Sequence, residues 1–119
     1  MDKFRPDTFL PLTPVAFEIL LALADGERHG YSILQEVEAR SGGAVALHAG
    51  TLYRALARLL ESDFIEELRE SPDPSSADER RRYYRLTARG VAVARAEAVR
   101  LEGQVAAARA RRLLTGVRA

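Results

Sequence analysis

Cysteine is absent from the chain. Neither a disulfide framework nor a thiolate zinc site is available to it. Histidine occurs only at His29 and His48, so no metal and no cofactor is expected. There is no HExxH and no phosphate-binding glycine loop. Catalysis is therefore not expected. The residual enzymatic reading is a hydrolase built on Ser or Thr with one of the two histidines, and its signature would be loss of turnover on mutating either. No apolar run reaches the length of a membrane span, and no signal-peptide core follows Met1. A cytoplasmic location without a membrane partner is the expectation. Tryptophan is missing as well.

An excess of one charge is also lacking, since the formal net charge is only +1. That balance hides an asymmetry. Residues 1–79 hold 7 Lys+Arg against 15 Asp+Glu, while residues 80–119 hold 11 arginines against 2 glutamates. A basic third on an acidic body suits nucleic-acid contact, or pairing of the two parts with each other. Only local placement separates these. The 119 residues, 47% hydrophobic, suffice for one domain with an appended element, and dimerisation would bury more.

The most informative stretch is Leu47 to Glu61. At about 100° per residue, Leu52, Leu56, Leu59 and Leu60 share one helical face. Opposite them stand Gly50, Arg54 and Ala57, flanked by Thr51 and Arg58, with no acid until Glu61. Small residues let a backbone approach DNA closely, and arginines reach phosphates or guanine edges. An ordinary surface helix with extra arginine is the alternative.

Residues 1–12 form an arm. Phe4, Phe9, Leu10 and Leu12 are too apolar for a free tail, so the arm should dock on the body or on a partner. Thr13 and Pro14 suit the N-cap and first position of a helix over the apolar run to Ala24, which Asp25-Gly26 ends. A second helix opens after His29-Gly30 and runs to about Arg40, with Ser41-Gly42-Gly43 as a turn. His29 reads as a helix-entry residue. With the arginine-bearing helix third, this is a helix-turn-helix.

Phe64 to Arg69 reads as a strand, followed by turn-rich residues 70–79. Arg80 to Leu86 is the return strand, with Tyr84 and Leu86 on one face and Arg81, Tyr83 and Arg85 on the other. Such a two-stranded hairpin is a wing. The run Arg80–Arg82 would serve DNA, or merely guard a strand edge. Tyr31 and Tyr83 are amphipathic and suit packing or phosphate contact. Thr87 caps a last helix, Ala88 to Leu114, roughly 40 Å long. Val91, Ala94, Ala98, Leu101, Val105 and Ala108 follow a heptad stripe. A lone stripe cannot bury itself fully, which suggests a homodimer interface; packing on its own body is the alternative. Arg89, in the first turn, is unfavourable for the helix dipole and calls for a partner.

Three motifs then occur in order: His29-Gly30-Tyr31 after a Leu-Ala run, Gly50-Thr51-Leu52-Tyr53-Arg54, and Tyr84-Arg85-Leu86-Thr87-Ala88-Arg89-Gly90. Together they resemble the PadR family of winged helix-turn-helix transcriptional regulators, over about Thr13 to Gly90. The resemblance implies a mostly α fold with a two-stranded β wing and a long C-terminal dimerisation helix. It divides the chain into an arm (1–12), a DNA-binding domain (13–87) and a dimerisation helix (88–119). It implies a dimeric repressor on a palindromic double-stranded DNA operator, often near its own gene. A small-molecule effector at the dimer interface would release it. His48 to Glu61 would be the recognition helix and Ile65 to Leu86 the wing. Thr51 and Arg54 would face the groove, Tyr53 the phosphate edge and Leu52 the core. His48-Ala49 stands where the family often has Ser-Pro, so His48 is either a cap or a DNA contact. The wing tip carries Asp73, Asp78 and Glu79, which leaves its DNA contact to Arg80 and Arg81. Without tryptophan, a flat effector has no indole to stack on. The alternative function is a winged-helix interaction module without sequence-specific DNA readout.

Overall fold

The chain is described here from a computed structural model covering residues 3–44, 47–68 and 82–114. A single 3-10 turn, Pro6–Phe9, precedes helix α1, Pro14–Leu23. Then come strand β1, Arg28–His29, and helices α2, Gly30–Ser41, and α3, Ala49–Glu61. Strands β2, Ile65–Leu68, and β3, Tyr83–Leu86, lead to helix α4, Ala88–Ala110.

The helix starts follow local chemistry. The Thr13 hydroxyl accepts the Ala16 N–H at 3.1 Å, with Pro14 in the first turn. The Thr87 hydroxyl accepts the Gly90 N–H at 3.0 Å. His29 caps α2, its Nδ1 accepting the Ser32 N–H at 3.1 Å. Each satisfies a donor that a helix end would otherwise leave open. Gly42 ends α2 with φ 63°, and the Gly43 N–H returns to the Glu38 carbonyl.

The wing sheet has three strands where the sequence suggests two. Its order is β1-β3-β2, antiparallel throughout, with Arg28 opposite Tyr84 and Ile65 opposite Leu86. The third strand escaped because two residues cannot show alternation, and because His29 serves both strand and helix cap. The expected wing contacts Arg80 and Arg81 lie outside the described residues, as does most of the hairpin between β2 and β3.

One core joins all the layers. Ile19, Leu20, Ala22 and Leu23 of α1 meet Ile33 and Val37 of α2 and Leu52, Leu56 and Leu59 of α3. Phe64, Ile65, Tyr84 and Val93 close it from the sheet and α4. Full burial of each Leu, Ile, Val or Phe side chain among them contributes about 1.5–3 kcal/mol. Burial raises the Tyr84 phenol above its ordinary pKa, with Glu67 adding to the shift.

The chain turns from α3 into β2 at Asp63, φ 64°, with the Phe64 N–H bonded to the Leu59 carbonyl. Thr87 docks there, its N–H on Phe64 O at 3.1 Å and its hydroxyl on Asp63 O at 2.6 Å. Gly90 then passes so close that a Cβ would lie 1.9 Å from Phe64 O. Helix α4 stops at Ala110, short of the expected Leu114, because Arg112 turns to φ 63° and the Leu113 N–H closes on Ala108 O. Its buried side is Gly90, Val93 and Glu97, and residues 102–107 are all exposed.

The arm docks on the body. Phe4 and Phe9 pack against Phe64 at centroid distances of 6.3 and 5.0 Å. The Arg89 guanidinium lies 4.7 Å from the Phe4 ring centre, which supplies the partner its position in the helix asks for. The Leu12 N–H reaches the Glu97 carboxylate at 3.0 Å.

Candidate nucleic-acid interface

Helix α3 divides as its periodicity requires. Leu52, Leu56 and Leu59 are 1, 1 and 5% exposed, and Leu60 is half-buried. Gly50, Tyr53, Arg54, Ala57 and Arg58 are exposed, and Thr51 is half-buried. The Arg54 guanidinium leans toward the Thr51 hydroxyl at 3.5 Å. Among the described residues, neither Arg54 nor Arg58 has a carboxylate partner. The outer face of α3 therefore carries two unneutralised cations over small side chains, which is what a polyanion can use.

His48 occupies the N-cap position of α3, but its side chain makes no capping bond. Of its two readings, capping finds no support in the geometry. The side chain is exposed beside Gly50 at the start of the helix.

Three tyrosines gather around the start of α2. Gly30 is buried, and the Tyr53 hydroxyl would lie 2.8 Å from any Cβ placed there. The residue before it, His29, meets Tyr83 edge-on at 5.4 Å. The residue after it, Tyr31, is 57% exposed. The glycine thus lets Tyr53 lie across α2 with about half its surface still open. Tyr83 is half-buried in the sheet. So the structure brings Tyr31, Tyr53 and Tyr83 into one neighbourhood at the edge of α3.

The described part of the wing is less available. Arg85 pairs with Glu66, its register partner across the β2–β3 ladder, and Arg82, just before β3, pairs with Glu67, both at 3.4 Å. Such exposed pairs add little stability, but they neutralise the cations. On α4, the heptad stripe is split: Val91, Ala94, Leu101 and Ala108 are half-buried within the chain, while Ala98 and Val105 are exposed. Among the described residues no cluster of three His, Asp or Glu is placed to hold a metal. None of the described helices is long and apolar enough to cross a membrane.

Sequence reasoning missed Glu97. It is 2% exposed, accepts from Leu12 N–H, and is paired with Arg100 three residues on. The Arg100 guanidinium, helped by the Leu12 N–H, holds its carboxyl below the usual carboxylate range against the cost of burial. The available signal was its spacing from Gly90 and Val93, 7 and 4 residues back on one helical face.

Helix-turn-helix, three-stranded wing and long C-terminal helix define a winged helix-turn-helix protein of the regulator class. The match of residues 19–96 to the transcriptional regulator PadR-like family model is sharper, and the chain belongs to that family. Solved structures agree. A transcriptional regulator from Clostridium thermocellum superposes with TM-score 0.68 at 24% identity, over 88% of this chain and 94% of that one. H. salinarum RosR gives TM-score 0.60 at 28% identity, over 82% and 78%. Bacillus subtilis PadR in complex with operator DNA gives TM-score 0.57 at 23% identity, over 68% of this chain and 44% of that one. No curated protein matches the sequence.

Proposed function

We propose that the chain is a cytoplasmic, dimeric repressor that reads a palindromic DNA operator near its own gene. The observation that carries this is the outer face of α3, where Arg54 and Arg58 stand beside Gly50 and Ala57 with no carboxylate partner among the described residues. In this reading Thr51 and Arg54 face base edges, and His48, Tyr31, Tyr53 and Tyr83 border the phosphates, with Arg58 beside them. Arg80 and Arg81 serve the wing. The arm is residues 1–12, the DNA-binding body 13–87 and the dimerisation element 88–119. The partly open stripe from Val91 to Ala108 pairs two copies, and two α3 helices enter major grooves about 34 Å apart. Operator DNA bound to B. subtilis PadR supports the assignment by analogy. An effector acting at the dimer interface fits the same scheme.

Fluorescence anisotropy with a duplex from upstream of the gene, against a scrambled duplex at several salt concentrations, tests it. Much tighter binding of the upstream duplex is expected. The pairing of Arg82 and Arg85 with β2 acids favours one second reading, an interaction module without DNA readout. Absence of binding at low salt would select it.

A further inference from the structure

Helices α3 and α4 both pack on α1 and share little direct packing with each other. They meet at one turn. Helix α3 ends in a Schellman arrangement, with Asp63 left-handed at φ 64°. The Asp63 N–H bonds Leu60 O and the Phe64 N–H bonds Leu59 O, both at 3.0 Å. The carbonyls of these same two residues are taken by Thr87. Its hydroxyl donates to Asp63 O at 2.6 Å, and its N–H donates to Phe64 O at 3.1 Å. The hydroxyl also accepts the Gly90 N–H in the first turn of α4 at 3.0 Å. One side chain therefore closes the end of α3 and the start of α4 together. An N-cap needs only an acceptor, so the donated bond to Asp63 O is surplus to capping. Threonine is stiff about χ1, which leaves this clasp little play.

We infer that Thr87 is a positioning residue: it holds α3 at a fixed place on α4 and thereby sets which spacing of operator half-sites the protein accepts. The spacing consequence rests on the proposed reading, in which α4 pairs two copies and α3 enters the groove; the clasp itself does not. In that dimer the separation of the two α3 helices is a property of the α3–α4 joint. One base pair inserted at the operator dyad moves a half-site by about 3.4 Å and turns it by about 35°. A stiff joint cannot follow that change, and a loose one can.

The chain has no cysteine. Nitroxide labels on Ala57→Cys and Arg109→Cys, exposed positions of α3 and α4, therefore report one intramolecular distance when labelled chain is diluted into unlabelled chain. Thr87→Asp keeps the cap, since a carboxylate accepts the Gly90 N–H, but has no proton for Asp63 O. Thr87→Ser keeps both bonds. Double electron–electron resonance should give a narrow distance distribution for the unmutated chain and for Thr87→Ser, and a broader one for Thr87→Asp. Thr87→Val, of the same shape without the hydroxyl, should behave like Thr87→Asp, so the result does not hang on one variant folding. Equal widths in all four would show that the hydroxyl only caps α4 and would overturn the assignment. Broadening in Thr87→Ser as well would place the effect in the lost methyl group and overturn it equally. The duplex from upstream of the gene, its dyad located by footprinting, is then titrated by anisotropy without labels on the protein. One base pair inserted at the dyad should cost the unmutated chain at least about tenfold in affinity and Thr87→Asp less than about threefold. Equal discrimination by both would overturn the role in spacing. No duplex binding by the unmutated chain at low salt would remove the DNA reading, and the distances would still decide the clasp.

Discussion

The Glu97 carboxylate accepts the backbone N–H of Leu12 at 3.0 Å, across 85 residues of chain. This bond fastens the arm to α4 at the edge of the core. Phe9 and Leu12 also wall a cavity beside α3, so one buried carboxylate holds together the arm, the long helix and that cavity.

Removing this carboxylate should loosen the arm. Glu97→Ala leaves the Leu12 N–H without its acceptor, and urea unfolding at neutral pH should show a loss of about 1.5–3 kcal/mol, the range for a bond to a charged group. The pH dependence has a definite sign. The folded pKa lies below the ordinary value of 4.5. The stabilisation is therefore full above 4.5 and is lost as pH falls through the folded pKa. Glu97→Gln should flatten that part of the acid limb. An unchanged limb would show that the carboxylate's charge is irrelevant.

Gly90 and Gly103 both lie in α4 but should respond oppositely to alanine. At Gly90 the new Cβ meets Phe64 O at 1.9 Å, and the α3–β2 junction must shift. A loss of about 1–3 kcal/mol or more is expected. At Gly103 nothing lies within 4 Å, and the substitution should stabilise by up to about 1 kcal/mol through helix propensity. Matching effects in thermal melts would mean that the close approach at Phe64 is not what requires glycine.

His48→Ser should raise stability by about 1 kcal/mol, because serine can accept an N–H in the first turn of α3 and His48 makes no such bond. If His48 touches DNA, operator affinity should fall in the same variant. Stability measured by denaturant and affinity measured by anisotropy separate the two effects.

Arg54→Ala should leave thermal stability unchanged, as the side chain is exposed and has no ion pair among the described residues. Operator affinity should drop by about 1–3 kcal/mol with relaxed specificity, as for loss of a bidentate guanine contact. An equal drop on every duplex would place Arg54 on phosphate instead.

The helix starts at Thr13-Pro14 and Thr87, the two faces of α3 and the family motifs were legible in the chain itself. Caps and amphipathic faces are written in residues three and four apart, so local order suffices to read them. The third strand, the inward turn of Glu97, the need for Gly90 and the cavity beside Arg58 were decided by tertiary structure. Each depends on groups distant in sequence: Arg28 with Tyr84, Leu12 with Glu97, Phe64 with Gly90, Val15 with Arg58. No periodicity within one element records which distant backbone will pass within bonding range, and only the packed chain brings those groups together.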